Sequence, residues 1–178
     1  MLTLTIISLL VALAGVGAAI YKFWSFPRSI SAIVYDIPKR WQWLWTAWLW
    51  VVSFTLALPL VEVMPDSYRL VAFLTVAALC FTAAMPLCMP GHERTHHILA
   101  IASGVLSQVC VFIVSPWWLT VWLVFVAVVV KVTLDFANKE YTVVDDRQLL
   151  SGRGVLLLEA LCAASTYGML LTNLPCAV

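Results

Sequence analysis

HILAIASGVLSQVCVFIVSPWWLTVWLVFVAVVVKVTLDFA, residues 97–137, is the stretch whose reading decides the fold. A membrane-crossing helix needs about 20 mostly apolar residues, so this run is too long for one crossing. Ser115-Pro116 breaks it near its middle. Proline disfavours helix at the residue before it, and the dipeptide reads as a tight turn between crossings at 97–115 and 117–137. Working outward, apolar segments of similar length occur at 3–23, 41–61, 68–88 and 154–174. The sequence therefore predicts an all-α integral membrane bundle of six transmembrane helices, forming a single domain over residues 1–178.

Composition agrees. The 178 residues are 63% hydrophobic and 11% charged, with a mean hydropathy of +1.01, an apolar share beyond what a soluble core hides. Ten basic and nine acidic side chains nearly cancel, leaving no basic face for nucleic acid. The expected partners are membrane lipids, together with a membrane protein or a second copy of the chain. The first apolar segment lacks a preceding basic region and approaches spanning length, so it reads as a retained helix rather than a cleaved signal. The five cysteines show no CxxC spacing, and no disulfide framework is expected.

Charge distribution sets an orientation. Lys22, Arg28, Lys39, Arg40, Arg94, Lys131, Lys139, Arg147 and Arg153 fall on one side of the six-crossing arrangement and only Arg69 on the other. Basic residues are retained in the cytoplasm, which places both termini outside in a bacterial inner membrane. Trp41, Trp43 and Trp45 then form an inner aromatic belt, and Trp117, Trp118 and Trp122 an outer one. Trp48 and Trp50 lie deeper, suited either to ordinary packing or to a flat apolar ligand. Between Pro27 and Pro38, Ile30, Ile33, Val34 and Ile37 recur at i, i+3, i+4 and i+7, which predicts a short interfacial amphipathic helix. Its Ser29, Ser31 and Asp36 either turn toward the bundle or lie wet on the membrane surface.

Chemistry-bearing residues gather on the cytoplasmic side of this topology. His92-Glu93-Arg94-Thr95-His96 spells H-E-x-x-H. On a helix, His92 and His96 share a face and can bind one zinc ion, with Glu93 placed to take a proton from bound water. The helix start decides whether this geometry exists. With Pro90 at the first helical position the motif is helical; with Thr95 as N-cap it is a solvated turn. A third metal ligand would come from Asp135 or Glu159. Glu159 lies near the start of the last apolar segment, where an ionised carboxylate must face the bundle interior. It suits metal ligation, proton carriage or structural hydrogen bonding. Asp135 also pairs with Lys131 at i, i+4, and His97 suits a proton relay or packing. The small-residue runs GVGAA, ASG and ALCAAS offer close helix contacts.

The five residues His92 to His96 resemble the motif of zinc metalloproteases, including intramembrane ones; the resemblance implies zinc bound by the two histidines and catalysis through Glu93. SISAIVYD, HHILA and LLLEAL together resemble a pattern in small polytopic bacterial membrane proteins of unknown function. The chain is also similar to ceramidase-like membrane hydrolases, which implies Ser29 or Ser31, His96 or His97, and Asp135 or Glu159 around zinc at one membrane face. Three functions are therefore expected to compete: a zinc-dependent hydrolase of a lipid amide or peptide with His92, His96 and Glu159 on the metal; a proton-coupled transporter using Glu159 and His97; and a noncatalytic scaffold or accessory subunit.

Overall fold

A computed structural model of the chain describes residues 1–23, 29–31, 33–89, 93–123, 126, 127, 130 and 146–174. These residues are helical and contain no strand. Helix α1 spans Leu2–Phe23, α2 Ile33–Asp36, α3 Gln42–Val63, α4 Arg69–Cys88, α5 Glu93–Val114 and α6 Asp146–Asn173. Five of them, all except the four-residue α2, contain stretches long and apolar enough to cross a membrane. The expected crossing at 117–137 lies largely outside the described residues. Its described part begins as a 3-10 turn over Pro116–Val121, with helical residues at 122, 123, 126, 127 and 130.

Prolines set the breaks. Ser115 leaves the helical region, with φ −155° and ψ 75°, because Pro116 crowds it. Met64 is extended before Pro65 and ends α3 in the same way. Helix α3 packs between α1 and α4, α4 packs on α5, α5 on α6, and α6 returns to α1 and α3. The helices thus close into a ring. Phe54, Phe81 and Phe112 point outward, all more than 60% exposed, while Ser8, Ser53, Thr82 and Ser165 are buried. An apolar exterior around a hydroxyl-bearing interior suits a hydrocarbon solvent, in which interior polar groups bind one another.

Two apolar clusters occupy opposite ends. One joins Leu56, Leu60, Met64, Ala72, Val111, Met169 and Leu170, where α3, α5 and α6 finish. The other joins Ala19, Ile33, Val34 and Trp45, where α1 finishes and α3 begins. This second cluster corrects two expectations. The apolar face of α2 is covered by α1 and α3 rather than by the membrane surface, because Ile33 and Val34 are fully buried there. Trp45 is likewise core, only 5% exposed, whereas Trp41 and Trp43 stay outside as a belt would require. At the other end Trp117 is exposed, but Trp122 donates to Gln108 Oε1 at 2.9 Å and Trp118 to Thr172 Oγ1 at 3.0 Å.

Polar staples cross between helices. Ser8 Oγ donates to the Val52 carbonyl and lies 2.8 Å from the Tyr167 hydroxyl, joining α1, α3 and α6. Thr46 Oγ1 donates to the Ala83 carbonyl, joining α3 to α4. Gln108 Nε2 donates to the Cys162 carbonyl while its Oε1 accepts from Ser165, joining α5 to α6. Cys80, Cys88, Cys110 and Cys162 are free thiols.

Candidate functional site

The polar site is built on Glu159, partly buried on α6. The helix starts at Asp146, earlier than the predicted Gly154, but its spanning stretch begins at Val155. The carboxylate therefore still enters the apolar region from the end where α1 finishes. There it meets the turn Ser29–Ser31, which follows α1. Ser29 Oγ donates to Oε1 at 2.7 Å and Ser31 Oγ at 2.6 Å. The Ser31 amide donates to Oε1 at 3.2 Å and the Ile30 amide to Oε2. Ser29 and Ser31 Oγ lie 2.9 Å apart. Consecutive amides flanked by two hydroxyls form a cage of four donors around this carboxyl group, three on Oε1 and one on Oε2.

His96 holds the other side of the same turn. It sits on α5 and is wholly buried, at 0% exposure. Its Nε2 is 3.0 Å from the Ser31 carbonyl and its Nδ1 is 3.1 Å from the Thr82 carbonyl on α4. The second contact has a cause in the sequence. In a regular helix the Thr82 carbonyl accepts from the amide four residues on, but that position is Pro86, which has no N–H. The imidazole fills the vacancy that proline leaves. Because both partners are carbonyl oxygens, both contacts are hydrogen bonds only when each ring nitrogen carries a hydrogen; a neutral ring sets one lone pair against a carbonyl. Tyr35 of α2 meets the ring edge-on, with centroids 5.4 Å apart at 84°.

The structure thus brings Ser29, Ser31, His96 and Glu159 together from segments far apart in the chain. His97 is exposed beside them, its ring 5.7 Å from that of His96. Helix α5 begins at Glu93, so Thr95 lies within it and is not its N-cap. His92 and Asp135 fall outside the described residues, as does the side chain of Glu93. Among the described residues no three His, Cys, Asp or Glu side chains converge as a metal-binding group. In the arrangement described, both His96 ring nitrogens face carbonyl oxygens, and both Glu159 oxygens accept from the Ser29–Ser31 turn. Asp36 is exposed and is not among the donors and acceptors of the cage. Sequence reasoning missed the Thr82 carbonyl; its signal was Pro86 four residues downstream.

Of the two deeper tryptophans, Trp48 crosses to α1 and donates to the Val11 carbonyl at 2.8 Å, lying directly over Gly15. Trp50 donates to the Cys80 carbonyl at 3.1 Å from an exposed position. No protein-family model, curated protein or solved structure matches the chain.

Proposed function

We propose that the protein is a proton-linked carrier with six membrane crossings, in which His96 and Glu159 hold the Ser29–Ser31 turn closed and release it as their proton occupancy changes. The observation that carries this reading is the double use of Ser31: its amide and hydroxyl bind the Glu159 carboxylate while its carbonyl faces His96. The turn offers its Ser31 amide and hydroxyl to the Glu159 carboxyl group and its Ser31 carbonyl to the His96 ring. A neutral His96 keeps one of its two carbonyl contacts, to Ser31 or to Thr82 according to its tautomer, and a proton added to Glu159 removes an acceptor from the same turn. An intramembrane acid so placed is a functional candidate by default, and the turn it holds is a natural moving part. The basic residues gathered on one side of six crossings support an orientation with both termini outside.

The sixth crossing is supported by helix direction. Gly104 approaches Cys162, Gln108 binds Ser165, and Trp118 binds Thr172. Partners advance together along both chains, so α5 and α6 run parallel, and two parallel helices in one chain call for a return between them.

The test uses proteoliposomes on a solid-supported membrane, presented with cationic, anionic and neutral solutes under an imposed pH gradient. A solute-dependent current that follows the gradient and disappears in Glu159→Gln is expected. Lack of current with every class from folded protein overturns the reading. The zinc-dependent hydrolase reading draws on His92, Glu93 and Asp135 and requires a His96 nitrogen to leave its carbonyl. Stoichiometric zinc that is lost in His96→Ala would favour it over the carrier.

A further inference from the structure

Two ring nitrogens of His96 face two carbonyl oxygens, and a neutral imidazole has one hydrogen to give. Which carbonyl receives it follows from the surroundings of each. On the Nδ1 side, Thr82 lies inside α4 at 1% exposure, and its contact with the ring is buried. Pro86 withholds the amide that would serve this carbonyl in a regular helix, and a proline ring also crowds the carbonyl four residues back. The hydroxyl of Thr82 is engaged elsewhere, donating to the Ala78 carbonyl at 2.8 Å. The neighbouring carbonyl shows how this stretch is served. Ala83 accepts from Thr46 Oγ1 of α3 at 2.8 Å, and a hydroxyl facing a carbonyl can only donate. Side-chain donors thus reach consecutive carbonyls of α4, from α5 at Thr82 and from α3 at Ala83.

The Nε2 side differs. Ser31 belongs to a turn outside the spanning helices, and both the residue and its contact with the ring are only part-buried. A carbonyl without a donor costs least where water can reach it and most inside a spanning helix. The single hydrogen of a neutral ring therefore belongs on Nδ1. Three titratable side chains surround this arrangement. Tyr35 of α2 and His97 of α5 meet the ring through ring contacts, with centroids at 5.4 and 5.7 Å, and Glu159 of α6 reaches its Nε2 side through Ser31.

The geometry assigns to Pro86 the role of a positioning residue that fixes the tautomer of His96: the neutral ring keeps its hydrogen on Nδ1, against Thr82, and the hydrogen it gains or gives up is the one on Nε2, against Ser31. The inference deepens the proton-linked reading and rests on it for its consequence in transport. Proton exchange at His96 then acts on the Ser29–Ser31 turn, while the hold of the ring on α4 stays constant. Helices α4 and α5 form the fixed frame, and the turn is the part set free.

The test is solid-state NMR of the whole protein in lipid bilayers, with isotope-labelled histidine rings and with His92→Gln and His97→Gln leaving His96 as the one remaining histidine. At about pH 9, above the ordinary imidazole pKa of about 6.5, the ring is read in its neutral form. A protonated Nδ1 and a bare Nε2 are expected. In Pro86→Ala and in Pro86→Gly the new amide should take the Thr82 carbonyl, and the protonated signal should pass to Nε2. A hydrogen on Nε2 in the chain with Pro86, a hydrogen that stays on Nδ1 in both Pro86 variants, or a ring that holds both hydrogens at this pH would each overturn the inference. Solute-driven current in proteoliposomes separates it from the carrier reading. Current together with a hydrogen on Nε2 sinks the tautomer alone, whereas a hydrogen on Nδ1 without current for any solute class sinks the carrier alone.

Discussion

Pro86 withdraws one amide hydrogen from α4, and the imidazole of His96 takes its place on the Thr82 carbonyl. The two residues should therefore be energetically coupled. His96→Asn is expected to cost about 1–3 kcal/mol, the usual penalty for stranding buried polar groups. In a Pro86→Ala background the restored helical hydrogen bond should make the same substitution cheaper, and a double-mutant cycle of detergent unfolding should give a coupling of about 0.5–3 kcal/mol. Additive losses would show that the carbonyl does not depend on the ring. Glu159→Gln sets a carboxamide N–H₂ among donors that need an acceptor, and should lower unfolding stability by about 1–3 kcal/mol. Ser29→Ala and Ser31→Ala each remove one donor and should cost less, because backbone amides remain in the cage. Glu159 was legible in the sequence as an inward-facing acid, since a carboxylate in hydrocarbon has few alternatives. Its partners were not, because a turn near residue 30 and a helix at 159 leave no mark of contact on either segment. The H-E-x-x-H spacing could not disclose that His96 faces backbone carbonyls, a matter of which carbonyls proline leaves open.

At the level of elements, two glycines mark where helices meet through tryptophan. A Cβ on Gly15 would fall 2.1 Å from the Trp48 ring, and one on Gly168 would fall 2.5 Å from the Trp118 ring. Helix propensity alone favours alanine at such positions by about 1 kcal/mol. Gly15→Ala and Gly168→Ala should nevertheless lower the melting temperature, because a rigid indole rather than a flexible chain end must give way. Recovery of Gly15→Ala by the smaller ring of Trp48→Phe would locate the clash. The apolar segments were legible from length and hydropathy, and the α1–α3 contact was foreshadowed by GVGAA. The spacing of Ile30, Ile33, Val34 and Ile37 announced an apolar face for α2 correctly. Periodicity reports that a face is apolar without saying whether lipid or protein covers it, and here α1 and α3 cover it. Trp45 was misplaced for the same reason: an indole suits an interface and a core equally well.

For the whole molecule, the parallel run of α5 and α6 makes the number of crossings testable. Six crossings put both termini on one side of the membrane and five put them on opposite sides. Epitopes at the two ends should both be accessible in intact spheroplasts and both protected in inverted inner-membrane vesicles. In a background lacking the other thiols, exposed Cys88 should react with an impermeant maleimide only in inverted vesicles, and Ser67→Cys only in spheroplasts. The break at Ser115-Pro116 was readable because proline acts locally on its neighbour. The parallel pairing was not, since hydropathy counts spans without assigning their neighbours. The cage also imposes an order on biosynthesis. The ribosome makes the Ser29–Ser31 donors well before Glu159, so in the nascent chain these amides and hydroxyls must be served by other partners until α6 enters the bilayer. A ribosome stalled before that helix would leave the assembly open at this seam, where a membrane chaperone or quality-control protease could tell an unfinished chain from a finished one.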